Sequence, residues 1–254
     1  MADGISALAL TAVVIGVTHT LLGPDHYLPF VFMARARGWS RAKTQLVTLT
    51  CGLGHVASSV VLGFLGIALG LAVARVESVE TVRGDLAAWA LIAFGLVYMA
   101  WGLRRAMRAQ PHSHAHLHQD GSSHVHDHVH ESDHLHVHDR ALGHARDRAG
   151  EGRRSAADAT RSLAPWVLFT IFFLGPCEPL IPLLMYPAAQ NSLAGVALVT
   201  LLYGSATLIS MSVTVFVASA GFERLPLGSL ERYIHVVAGG AILACGLAIQ
   251  FLGL

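Results

Sequence analysis

Six apolar runs, at about 5–33, 44–73, 86–106, 164–189, 193–220 and 232–254, alternate along the chain with polar stretches, the longest of them between the third and fourth runs. Charged residues are largely confined to 35–43, 75–85, 104–108, 120–161 and 223–232. A helix needs about 20 apolar residues to cross a hydrocarbon layer ~30 Å thick, and each run meets that length. The pattern predicts an all-α integral membrane protein with six transmembrane helices. The first run follows Met1-Ala-Asp-Gly, with no basic leader and no small-residue cleavage site after it. It is therefore read as a retained helix and not as a secretory signal.

Composition supports that class. Hydrophobic residues make up 54% of the chain and charged residues 13%, against about 25% charged in soluble domains. The mean hydropathy is +0.55. A net charge of +1 gives no basis for nucleic-acid binding, and none is expected. Cys51, Cys177 and Cys245 all fall in apolar runs, so they are not the framework of a secreted disulfide scaffold.

The loops suggest an orientation. Arg35, Arg37, Arg41 and Lys43 follow the first run, and Arg104, Arg105 and Arg108 follow the third. Arg153, Arg154 and Arg161 precede the fourth, and Arg224 and Arg232 separate the last two. Positive loops remain cytoplasmic. The second loop balances Arg75 and Arg83 against Glu77, Glu80 and Asp85, and the fourth, near Gln190-Asn191, is uncharged. Both are placed outside. The expectation is a multi-pass protein of a bacterial inner membrane with both termini outside.

The chain also repeats itself. "LGPDHYLPFVFMA" begins at Leu22 and "LGPCEPLIPLLMYPA" at Leu174, 152 residues later. Val47-Thr48-Leu49 and Gly52 meet Val199-Thr200-Leu201 and Gly204 at the same offset. At an offset of 151, Gly95-Leu96 meets Gly246-Leu247. The expected domains are a first three-helix repeat over 1–107, a disordered cytoplasmic loop over 108–163 and a second three-helix repeat over 164–254. Three spans is an odd number, so the second copy runs inverted. Inverted repeats with broken helices are a transporter architecture, with the binding site near the midplane.

The breaks are expected at Gly23-Pro24 in helix one and Gly175-Pro176 in helix four, where proline removes a backbone donor and clashes with the turn before it. Polar residues gather there: Asp25 and His26 after the first break, Cys177 and Glu178 after the second. A carboxylate at mid-helix costs ~2.5–3.5 kcal/mol on insertion scales, more than a simple kink warrants. Imidazole, carboxylate and thiolate together form a transition-metal ligand set. His19 shares a helical face with His26. A straight helix would separate them by ~10.5 Å along its axis, too far for one ion. Either the chain unwinds at Gly23-Pro24, or the two histidines serve successive positions. His55, in "GLGHVASS", is a further candidate, with Ser58 and Ser59 one turn on to orient it. His235, beside Tyr233, is read as an interfacial residue.

Twelve of the sixteen histidines lie between 112 and 144, mostly as His-x-His. No hydrophobic periodicity survives there, which predicts disorder. Such tracts bind metal through neutral imidazoles, with little selectivity among ions.

"GVTHTLLGPDHYLP" together with "GLGHVASS" resembles the nickel/cobalt transporter superfamily, including its urease-accessory and efflux branches. The resemblance implies His19, Asp25 and His26 as ligands, and a histidine-rich loop suits the efflux branch. That family's element has four residues between the first histidine and the aspartate; here five separate His19 from Asp25. "LGPCEPLIPLLMY" bears a more distant likeness to CcdA/DsbD-type membrane electron carriers, which use two cysteines at equivalent repeat positions. Here Asp25 stands where the first cysteine would be, and a carboxylate performs no thiol exchange.

The expected function is export of a divalent transition metal, Ni²⁺ or Co²⁺ or else Zn²⁺, in exchange for protons. The expected ligands are His19, Asp25, His26, His55, Cys177 and Glu178. The ion is a substrate, no cofactor is permanently bound, and the protein is not an enzyme. The alternatives are a thiol electron carrier and a small-anion exporter.

Overall fold

In the computed structural model, residues 2–108, 112–117, 123–128, 156–190, 192–226 and 228–253 are described. Apart from one short ribbon they are helical. The helices are α1 (Ala2–Leu22), α2 (Leu28–Arg37), α3 (Arg41–Ala68), α4 (Val73–Arg108), α5 (Ala156–Leu174), α6 (Leu180–Ala189), α7 (Leu193–Glu223) and α8 (Ile234–Leu252).

Four helices are long and apolar enough to cross a membrane: α3, α4, α7, and α8 with the turn before it. The first apolar run is broken as Gly23-Pro24 predicts. Its two arms, Ser6–Leu22 and Pro24–Arg37, meet at 84° and make a fifth span if counted as one. The expected fourth span is divided into two short apolar helices, Leu163–Leu174 and Leu180–Ala189, around a second break. Apart from the ribbon, the described residues thus form a helical membrane-type bundle of four to five candidate spans.

Local chemistry sets the boundaries. Gly23 leaves helical geometry ahead of Pro24, whose ring disfavours it there, and Pro24–His26 forms a single 3-10 turn. Ser40 starts α3 by accepting a hydrogen bond from the Lys43 amide at 3.3 Å. Helix α4 runs for 36 residues, on the order of 54 Å, well beyond a bilayer core. Its first turns hold Arg75 to Asp85, which the sequence places in an external loop; they are helical instead.

The packing pairs elements of the two halves crosswise. Helix α1 lies on α7, α5 on α3 and α2 on α8; α6 touches α4 but packs mainly on α7 and α3. Helices α4 and α8 approach backbone to backbone. A Cβ on Gly95 would sit 2.5 Å from Leu243 N and 2.9 Å from Gly239 O. A Cβ on Gly246 would sit 2.9 Å from Ile92 N and 3.0 Å from Ala88 O. A shift of 151 residues converts the first set of contacts (95, 92 and 88 for 246, 243 and 239) into the second.

One end of the bundle gathers the basic residues. Arg41 pairs with Glu223 at 2.8 Å and Arg35 with Glu231 at 3.7 Å, and Arg232 donates to Ala106 O at 3.1 Å. These contacts bring the end of α2, the start of α3, the end of α4, the end of α7 and the start of α8 to the same side.

Within the expected loop, β1 (His112–Leu117) pairs antiparallel with β2 (Ser123–His128), placing His112 opposite His128, His114 opposite His126 and His116 opposite His124. The rest of the histidine tract, and with it the expected disorder of that stretch, lies outside the described residues.

Candidate metal centre

His19 occupies the last turn of α1, His26 the 3-10 turn beyond the break, and His55 the middle of α3. The break brings the first two together. Their ring centroids are 4.7 Å apart, and His55 lies 5.2 Å from His26 and 6.3 Å from His19. One nitrogen from each of the three falls within 4.8 Å of the others. An ion held at ~2.1 Å by each nitrogen needs them about 3.4 Å apart, so ring movements on the order of 1 Å would close the set.

Hydrogen bonds assign the tautomers. His26 Nδ1 is 3.3 Å from Gly23 O and 3.1 Å from Asp25 Oδ1. His55 Nδ1 is 3.3 Å from Phe172 O. A carbonyl oxygen only accepts, so Nδ1 carries the proton in both rings and Nε2 presents a lone pair. The Nε2 atoms of His19, His26 and His55 are all buried with no hydrogen-bond partner. Orphaned buried nitrogens are uncommon and costly. In His26 and His55 the other nitrogen is held by an oxygen acceptor, as in ligating imidazoles.

The three rings line a cavity of about 550 Å³, which Asp25, Asp85, Glu178, Thr18 and Thr81 also line. Neither lysine nor arginine is among its described lining residues. The cavity extends to Thr81 and Asp85 near the start of α4 and to Gly253 after α8. Those are the ends opposite the arginine-rich side.

The expected ligands therefore divide. His19, His26 and His55 converge, Asp25 holds His26, and Glu178 borders the same cavity. Cys177 does not join them. It is fully buried in a second core cluster with Leu180, Leu184 and Tyr203. Its Sγ lies 3.1 Å from Tyr203 Oη, and its amide donates to Ser59 Oγ at 3.2 Å. Cys51 belongs to the other core cluster, and all three cysteines are free. Ser58 donates to His55 O at 2.8 Å, so neither serine orients the imidazole directly as expected. His235 is half-buried near the basic end of the bundle, with Nδ1 2.9 Å from Tyr98 Oη.

Sequence reasoning overlooked Asp85 and Thr81, counting that stretch as loop. The spacing 81, 84, 85 is one helical face, and that was the available signal.

Comparison with known protein families, curated proteins and solved structures gives no match for this chain.

Proposed function

We propose that this protein transports a divalent transition-metal ion, Ni²⁺, Co²⁺ or Zn²⁺, across a bacterial inner membrane, in the direction of export. One observation carries the reading: three histidines, each with a buried Nε2 that has no hydrogen-bond partner, bring one ring nitrogen apiece within 4.8 Å of one another and line a cavity with three carboxylates and no described lysine or arginine on its wall. Neutral imidazoles beside carboxylates suit a borderline-soft cation. The same lining gives a small anion no described lysine or arginine and sets three carboxylates against it. The separate burial of Cys51 and Cys177 gives an electron carrier no thiol pair.

The architecture we propose is six spans in two inverted units, with both broken helices counted as spans. The crosswise packing and the 151-residue relation between Gly95 and Gly246 support it. The arginine-rich end suits the cytoplasm, so the cavity opens outward. In this reading Asp85 and Glu178 draw the cation at the mouth, and the histidines hold it. Ligating groups must be deprotonated, so protons compete with metal and can drive exchange. The histidine-rich tract then lies in the cytoplasm and gathers the ion.

The test is flux of Ni²⁺, Co²⁺ and Zn²⁺ through vesicles holding the purified protein, with and without a pH gradient. Saturable flux of at least one ion, lost in a His19→Ala/His26→Ala/His55→Ala variant, is the expected result. Flux equal to that of empty vesicles for every ion would reject the proposal.

A further inference from the structure

Helix α5 stops at Leu174; the Gly175 amide reaches Ile171 O at 2.9 Å and Phe172 O at 3.1 Å, and the carbonyls beyond need donors from elsewhere. Pro176 supplies none. Phe172 O faces His55 Nδ1 at 3.3 Å. The next carbonyl, Phe173 O, accepts from Arg83 Nη2 at 2.9 Å, and Gly175 O lies 3.5 Å from the same nitrogen. Arg83 Nη2 is also 2.7 Å from Ser58 Oγ, whose hydroxyl donates to His55 O. One guanidinium from α4 thus grips the broken end of α5 and the turn of α3 that bears His55.

Arg83 is itself fixed. Its Nη1 donates to Glu80 Oε1 at 2.7 Å, and the Glu80 side chain is 0% exposed. Gly84 seats α4 on the same break, since a Cβ there would lie 2.9 Å from Pro176 Cγ. A buried ion pair is weak evidence of net stabilisation, because desolvation offsets much of its attraction. The guanidinium's fork of donors suits a positional role, reaching several oxygens in fixed directions.

We propose that Arg83, held by Glu80, is a positioning residue for His55. It fixes the end of α5 so that Phe172 O keeps the His55 proton on Nδ1 and leaves Nε2 facing the cavity. The consequence for metal binding rests on the transport reading; the tautomer does not.

The experiment compares the full-length protein with Arg83→Met and with Glu80→Gln/Arg83→Met. The double variant removes both charges, so no unpaired buried carboxylate is left to unfold the bundle as it could in the single variant. Nitrogen NMR of labelled histidine, with the His55 signals assigned by their loss in His55→Gln, reads the tautomer without metal. Titration with Co²⁺, followed in the visible spectrum, reads the site. The double variant is expected to keep the wild-type helical content, to lose the fixed Nδ1–H form of His55, and to bind Co²⁺ about tenfold or more weaker, as for loss of an outer-shell partner. Wild-type histidine signals in the folded double variant would overturn the proposal and leave the pair a structural tie. Absence of Co²⁺ binding by the wild type would instead reject the metal reading, with the histidine signals still deciding the role of Arg83.

Discussion

His19 and His26 stand seven positions apart in sequence, yet their rings meet edge to face at 4.7 Å. The turn at Gly23 closes that gap. It brings both residues to the wall of one cavity, which His55 also lines, and the Nε2 atoms of all three are buried without a hydrogen-bond partner. The two histidines therefore share one cluster, the arrangement expected of an unwound chain rather than of a straight helix.

Removing one imidazole tests the cluster directly. His26→Ala or His55→Ala is expected to lower vesicle flux by more than ~100-fold, because even outer-shell partners of a metal are worth 10–100-fold. Membrane insertion stays at the wild-type level. Unchanged flux in either inserted variant excludes the histidines as ligands.

Gly23 is the residue that this geometry cannot replace. A Cβ there would lie 2.5 Å from His26 Nδ1 and 2.9 Å from Asp25 Oδ1. Gly23→Ala is expected to cost about 1–3 kcal/mol, as overpacking does, and to abolish Co²⁺ binding. Gly38→Ala is the control. Gly38 has φ +59°, with nothing within 4 Å of a Cβ, and it does not line the cavity. That variant also loses stability on heating but keeps its Co²⁺ spectrum.

The two carboxylates at the breaks should differ. Asp25 accepts from His26, whereas Glu178 borders the cavity and is exposed. Asp25→Asn is expected to reduce metal affinity by about 10–100-fold, as an outer-shell change does. Glu178→Gln should mainly slow loading at low metal. Flux measured across ion concentrations separates the two effects, and equal affinity losses would place Glu178 beside the ion.

The sequence located the breaks well, because proline chemistry is local: "GPDH" states the end of a helix and the polar groups beside it in four letters. It located Cys177 poorly. Aligning the repeats pairs Cys177 with Asp25 by position, but alignment carries no side-chain direction, and Cys177 turns into apolar packing beside Tyr203. Arg83 and Asp85 were misplaced for a different reason. Hydropathy falls at 75–85 because α4 extends past its apolar run, and a hydropathy reading takes that fall for the end of a helix.

Protons should compete with the ion. An imidazole with an ordinary pKa of ~6.5 binds metal only when neutral, so loading of the twelve histidines between 112 and 144 falls as pH drops from 7 to 6. Deleting 112–144 is expected to leave transport partly active, since loop length changes closure entropy only logarithmically. At low metal, the deletion should respond less steeply to cytoplasmic-side pH than the intact protein. Flux at several metal concentrations and pH values is the measurement. Complete loss of transport in an inserted deletion would place the tract in the conduction path, and superimposable curves would reduce it to a linker.

The glycine contacts between α4 and α8 limit how the bundle can move. With Gly95 and Gly246 each pressed on the opposing main chain, the pair has almost no side-chain layer in which to slide. In the transport cycle proposed above, the pair would serve as an axle. Rearrangement would then be left to the elements that are already in pieces, α1 with α2 and α5 with α6, swinging on their short joints while the axle keeps its length and register. Bulk added at Gly95 or Gly246 would therefore do more than loosen the packing: it would take away the fixed part against which the rest of the bundle turns.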